Sequence, residues 1–551
     1  MKKRIQALGI LMVLLCINII PVTAQELDLK LSIDGDYIEF TDESGKPYVD
    51  NNGRTQVPVR IAADSIGAKV EWDGNKEAVI LQKDTVTVMI FIGTDYIYVE
   101  GDKIMNDTVS TVINGRTYLP IRVVMEAFGY TVGWDQETFT VSANSPGYVE
   151  PEENVSQYPE SFDARTVSKM SPVKNQGDIG ACWAFAAMGA LETSLMPDML
   201  YDFSEDHISL NHGYALTQDQ GGDYQIGLAY LTGWKGPILE EQDPYGDGET
   251  TEAEAVVHLQ EAIFIDDKDF DGIKKAVMEY GAVHTSVYSP ILNGDQNSLY
   301  YNEETNAMYN FDDNVQDHDI IIVGWDDNYP RDKFKVKPSK DGAFICKNSW
   351  GEEFGEGGYY YVSYEDTHIG THNVIYTRID SNDNYDNIYQ YDELGWVSKI
   401  GYENGSEDKA MAANVYTASN EEILEAISFY SFTKNGSYKL YVVEDFVDTK
   451  SFDDKVFLTE GTLEEPGYYT IDLPVDVNLS KGERYAVVLE INSPGLKHPI
   501  AIEVSNQLLY TDEIEVNPGE SFISYSGKNW QDAGKDNNVN VCIKAFTNNV
   551  E

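Results

Sequence analysis

Hydrophobic and polar positions change rhythm several times along the chain, and each change marks a different architecture. An apolar run from Ala7 to Ile20 follows Lys2-Lys3-Arg4 and leads into the small-residue pattern Val22-Thr23-Ala24. Residues 1–24 therefore read as a secretory leader, too short and wrongly flanked for a membrane anchor. From 28 to 146 short alternating stretches predict strands, among them Thr85 to Phe91 and Asp95 to Glu100. The segment Gly53 to Arg60 returns as Gly115 to Arg122. Each copy then runs through a short helical stretch into Val-x-Trp-Asp, at 70–73 and at 132–135. The constant offset of 62 residues identifies a duplication. Ser145-Pro146-Gly147 and the acidic stretch from Glu150 to Glu153 make a linker.

Between 155 and 379 the rhythm shifts from helical to alternating. Ala184 to about Met196 is strongly helix-forming, the chain stays helix-leaning to about Lys268, and Phe270 to Tyr280 forms one more helix. From Ala282 onward the period is two, with strands expected at 282–287, 318–325 and 358–364. A helical lobe against a β-lobe is the expected result, with a cleft between them. A Tyr/Asp/Asn-rich segment from about Asp380 to Lys409 is a loop or an inter-domain strand. Beyond it, from 410 to 549, short strands recur, beginning near Ile423 and continuing at 438–443, 468–473, 485–490 and 539–544. That spacing predicts an antiparallel β-sandwich. The fold class is thus multidomain: an α+β repeat domain, a two-lobed α+β domain and a β-sandwich.

Composition narrows the function more than the fold. A formal charge of −54 over 551 residues repels nucleic acid and anionic membranes, and no later run spans a bilayer. Nothing resembles a nucleotide-binding loop, and no cofactor is expected. No histidine lies between the leader and Cys182, so no metal site is expected in the repeat domain. Cys16 belongs to the leader, and the remaining Cys182, Cys346 and Cys542 are too scattered for a disulfide framework.

The candidate chemistry centres on Cys182, which opens a helix after the loop Val173 to Ala181. A thiol at a helix N-terminus feels the positive end of the macrodipole, which favours thiolate. His318 opens an apolar strand, and Asn348 stands in Cys346-Lys347-Asn348-Ser349-Trp350-Gly351. Cys, His and Asn supply a nucleophile, a proton carrier and a neutral group to aim the imidazole. With Pro172 to Gly177, Cys182-Trp183-Ala184-Phe185, Gly221-Gly222 and Asn348 to Gly351 in this order, the chain from about Tyr158 to Tyr364 resembles the papain-family cysteine peptidases. The Asn lies further from Cys182 than usual, which an insertion from Asp326 to Lys340 accounts for. The repeat domain, 28–146, is similar to the copper-amine-oxidase-like N-terminal domain of secreted Gram-positive proteins. The sandwich resembles the lectin-like domain appended to some bacterial papain relatives.

The resemblance implies a secreted endopeptidase, hydrolysing peptide bonds of proteins, in which Cys182 and His318 rest as a thiolate–imidazolium pair. It further implies that Gln176 donates to the oxyanion and that Gly222 pairs with substrate backbone. It places Asp317 and Tyr224 along the substrate groove, and Trp350 over the His318–Asn348 bond at the substrate side. Ile179 stands where many relatives have a second Cys, so their neighbouring disulfide cannot form. Asp319 stands where relatives usually carry a small apolar residue. On a strand it faces away from His318, and if it bent back it would raise the imidazole pKa. His207, His212, His284 and His368 read as surface or packing residues, and Cys346 as core. Protein or peptide substrates are the expected partners, with a cell-envelope polymer or carbohydrate for the flanking domains and association with the cell wall. The competing reading is a catalytically inert adhesin or carbohydrate-binding surface protein on the same scaffold. A peptidoglycan hydrolase is a third.

Overall fold

The computed structural model describes residues 29–550 apart from short stretches at 35, 39, 42–43, 51, 107, 136–138, 149–157, 168, 291–297, 403–407 and 512–513. The expected leader and most of the acidic linker lie outside the described residues. The chain divides into two compact units, residues 1–155 and 156–551.

In the first unit the duplication is visible as pairing. The strands Thr55–Pro58 and Arg116–Pro120 lie antiparallel, and Val57 faces Leu119, its own counterpart in the other repeat. Each strand ends in a proline that opens a seven-residue helix, Val59–Ser65 and Ile121–Ala127, where a missing N–H costs nothing. The helices bury Ala62, Ala63, Val124 and Met125 over a core that includes Val57, Leu119 and Ile90. The intervening chain forms a five-stranded antiparallel sheet, Lys69–Asp73 to Asp102–Met105, in chain order.

The second unit is built around the helix Cys182–Leu195. Every residue from Trp183 to Thr193 is buried, as befits a helix with apolar residues on all sides. It packs on the face of strand His318–Asp326 that carries Ile321 and Val323, with helices Glu205–Asn211 and Tyr224–Thr232 beside it. That strand lies between Val283–Val287 and Ala343–Lys347, and Tyr359–Ser363 pairs next. Ser161–Asp163 pairs on the far part of the same strand. Only glycine fits at Gly324 there, because a Cβ would come within 2.2 Å of the Phe162 carbonyl oxygen.

Two expectations are corrected here. The stretch up to Lys268 is not all helix-leaning: Val257–Ile265 is a nine-residue strand. Six of its nine residues are buried, drawn from both faces and including His258 and Gln260, so burial does not follow the alternation of a half-exposed strand. This strand also joins what sequence had separated. It pairs with Asn373–Ser381 on one side and with Gly467–Leu479 of the β-sandwich on the other. One thirteen-stranded sheet therefore runs from Tyr301–Asn302 through the His318 strand into the sandwich, ending at Asn387–Tyr389. Consequently the sandwich recruits chain ahead of 410: Asn387–Tyr389 pairs with Ile543–Asn549, and Ser398–Ile400 with Ile500–Val504. Lys409–Thr417 precedes the strand expected near Ile423, which runs Glu422–Ser431. A second, six-stranded sheet completes the sandwich around Leu440, Val487, Leu489 and Ile523.

Candidate active site

Cys182 is the first residue of its helix. Its N-cap, Ala181, offers no side-chain acceptor, so the first-turn N–H groups are not capped from that side chain. The backbone N–H groups of Asp319 and Trp183 lie close enough to its sulfur to favour the thiolate. The thiol thus lies against the start of the His318 strand, where the sheet edge meets the helix N-terminus.

His318 is almost wholly buried, with Nε2 2.8 Å from Asn348 Oδ1. The same oxygen accepts from the Ser349 N–H at 2.8 Å, which fixes the amide orientation and makes Nε2 the protonated nitrogen of a neutral ring. Nδ1 has no hydrogen-bond partner, so it is left as a bare acceptor. Trp350 stacks on the imidazole, with ring centroids 4.8 Å apart, and Phe354 meets Trp350 edge-on. The arrangement keeps water from the His318–Asn348 bond on that face.

Gln176 is tied to the Asn348 loop rather than lying free. Its N–H donates to the Ser349 carbonyl at 2.8 Å, and its Oε1 accepts from the Ser349 hydroxyl at 2.6 Å. Its Nε2 donates to the Ile179 carbonyl at 2.9 Å, leaving the second N–H of that amide for another acceptor. Ser349 lay inside a recognised motif, yet its part in aiming Gln176 was visible only in three dimensions.

The other expected residues fall around this group. Gly222 abuts Trp183, and a Cβ there would lie 2.5 Å from the indole nitrogen, so glycine is demanded by packing as well as by access. Tyr224 begins its helix, half-buried, 5.7 Å from the His372 ring. The Asp317 carboxylate is exposed and accepts from the Ser289 N–H at 2.6 Å. Among the described residues no group of His, Cys, Asp or Glu is arranged to hold a metal.

Burial pushes the Cys182 thiol up to about 12, with the charges of Asp319 and Asp317 acting the same way and the two N–H groups opposing. Burial lowers His318, against the Asn348 bond and the Asp319 charge. Burial thus opposes the charged form of each group taken singly. His284, read as a surface or packing residue, is fully buried with Nε2 3.0 Å from Asp319 Oδ2, and Ser286 Oγ donates to Asp319 Oδ1 at 2.7 Å. Asp319 does face away from His318, but it faces this pair. Of the others read as surface or packing residues, His207 and His212 are buried, on Tyr230 and Trp183 respectively, and Cys346 is core.

The papain family cysteine protease model matches residues 158–379, between matches to the copper amine oxidase N-terminal domain at 32–143 and to the lectin like domain at 388–547. Solved structures of the cysteine protease Cwp84 of Clostridium difficile, a surface layer associated protein, are similar to this chain. One, taken after propeptide cleavage, has a TM-score of 0.63 at 28% identity, covering 71% of this chain and 99% of that one. The other, with protease and lectin-like domains, has a TM-score of 0.62 at 27% identity, covering 72% and 90%. Procathepsin L of Rattus norvegicus is 28% identical over 37% of this chain and 60% of its own length. For cathepsin K of Mus musculus the figures are 28%, 36% and 58%. The chain thus spans about 60% of these curated relatives.

Proposed function

We propose that the protein is an exported cysteine endopeptidase that hydrolyses peptide bonds of proteins through Cys182, His318 and Asn348, with Gln176 as oxyanion donor. The carrying observation is the imidazole held by Asn348 with Nδ1 bare, on a strand whose next N–H lies close to the Cys182 sulfur. As the sulfur attacks the scissile carbonyl, its proton passes to His318 Nδ1 and the carbonyl oxygen becomes an oxyanion. The Cys182 N–H and the second Gln176 amide N–H stabilise that charge; losing one such donor costs about a hundred- to a thousandfold in rate. The imidazolium returns the proton to the departing amine, leaving a thioester, which water hydrolyses with the same imidazole as base. Asn348 orients the ring without neutralising it. Gly222 and Tyr224 line the groove, and Asp317 sits at its edge.

Two features support placing the protein at the cell surface: the Cwp84 similarity, and the lectin-like domain, which suits a carbohydrate or envelope polymer. No helix among the described residues is long and apolar enough to cross a membrane. Incubating the full chain with casein under reducing conditions, beside Cys182→Ala, tests the reading. Cleavage by the parent and none by the variant is expected. Cleavage by neither leaves an inert surface protein, and cleavage of cell-wall stem peptides alone favours a peptidoglycan hydrolase.

A further inference from the structure

A carboxylate buried beside the reacting pair is the least expected feature of the site. Asp319 follows His318 directly, and its side chain is turned to the face of the sheet on which helix Cys182–Leu195 packs, with Ile321 and Val323. It is held there from the neighbouring strand Val283–Val287, where Ser286 lies opposite in register and His284 two residues along shares the face. The two contacts, 2.7 Å to Ser286 Oγ and 3.0 Å to His284 Nε2, fix both carboxylate oxygens. His284 has no exposed surface, and its Nδ1 has no hydrogen-bond partner. A carboxylate only accepts, so Nε2 is the nitrogen that donates, to Asp319. Burial alone would raise the Asp319 carboxyl; the contacts from His284 and Ser286 outweigh it and hold the group below the usual carboxylate range, so a carboxylate stands inside the protein.

We propose that Asp319 is a positioning residue for the Cys182–His318 pair: its fixed carboxylate, acting through space and through its own backbone N–H on the sulfur, keeps the pair's working proton bound to higher pH. The inference rests on the peptidase reading and adds what sets the pH window of that site. Other charged and titratable groups surround Asp319 without pairing with it. Asp317 immediately precedes its strand, Asp223 and Tyr224 lie at the start of helix Tyr224–Thr232, and Tyr376 is on strand Asn373–Ser381. Across a cavity of about 20 Å³, room for one water, stands Lys347, which is held by the Ser171 carbonyl and hydroxyl rather than by Asp319. Lys174, Glu192 and Glu205 bound the same cavity and pair among themselves.

The sign follows from the proton count. The working form of the pair holds one proton, shared between sulfur and imidazole. Adding a second proton gives the acid limb of the activity profile, and removing the last gives the alkaline limb. A fixed negative charge favours every protonated form, so it moves both limbs to higher pH. The charge raises Cys182 and His318 alike, in the same sense.

The test is the pH profile of kcat/KM for the full chain, on a fluorogenic peptide taken from a casein cleavage site. In Asp319→Asn both limbs should shift to lower pH. The variant-to-parent rate ratio should then change by about threefold or more between the acid and alkaline arms. Asp319→Glu, which keeps the charge, should retain the parent limbs. The pH dependence of Cys182 alkylation by iodoacetamide should move with the Asn variant, independently of turnover. If Asp319→Asn fails to fold, Asp319→Ala combined with His284→Val removes the buried group whole and should show the same downward shift. Unmoved limbs in a folded variant, or an Asp319→Glu profile that follows the Asn one, would overturn the proposal. A parent chain without thiol-dependent cleavage removes the peptidase reading itself, and this inference with it.

Discussion

Single residues in this protein are constrained by what lies a few ångströms away rather than by their own preferences. Gly222 illustrates this: a methyl group there meets the Trp183 indole, and Trp183 is buried in the core beside Cys182. Gly222→Ala is therefore expected to lower both stability and cleavage rate, with thermal unfolding and kcat/KM falling together. Histidines set an acid limit by the same logic. Burial lowers His212 to about 4 from its usual 6.5, and its Nδ1 accepts from the Tyr214 N–H at 3.0 Å. A base whose folded pKa is depressed leaves the unfolded chain binding more protons between the two values. Stability should therefore fall as pH drops from about 6.5 toward 4, as read by denaturant midpoints. Burial lowers His207 in the same direction. Much of the site was legible at this scale, because Cys182, His318, Asn348 and Gln176 each sit in a motif with a chemical reason. The Asp319–His284 contact was not, because the two lie 35 residues apart and only strand register joins them.

Among the elements, legibility followed solvent. The helix Cys182–Leu195 and the repeats were readable because propensity and duplication leave marks in the sequence itself. Strand Val257–Ile265 was not, since burial on both faces erases the alternating signal, and Lys409–Thr417 is concealed by its alanines in the same way. The seam between protease and sandwich is short: Glu261, Ala262 and Ile263 face Tyr469, Tyr468 and Gly467. Its close approach depends on Gly467, where a Cβ would come within 2.3 Å of the Ala262 carbonyl oxygen. Gly467→Ala should loosen this junction. The expected cost is about 2 kcal/mol in chemical denaturation, a substantial value for one added methyl group.

Over the whole molecule, residues 156–551 behave as one structural unit despite carrying two recognisable domains. A fragment ending near 381 would expose the edge of Val257–Ile265 and strip from Tyr376 and its neighbours the cover that Tyr430 and Tyr468 provide. Such an unpaired, apolar edge invites association with other chains. The fragment should elute as aggregate in size-exclusion chromatography, while 156–551 elutes as a discrete species. Calorimetry of 156–551 should likewise show one transition rather than two.

Exchange of C-terminal modules between enzymes of this kind would accordingly be more than a matter of choosing linker lengths. A donor sandwich must bring a strand that completes the host's backbone ladder in the same register, with a glycine at its closest crossing. Chimaeras cut at the sequence boundary would sever that ladder, whereas those cut within the first unit, ahead of Ser156, would leave it whole.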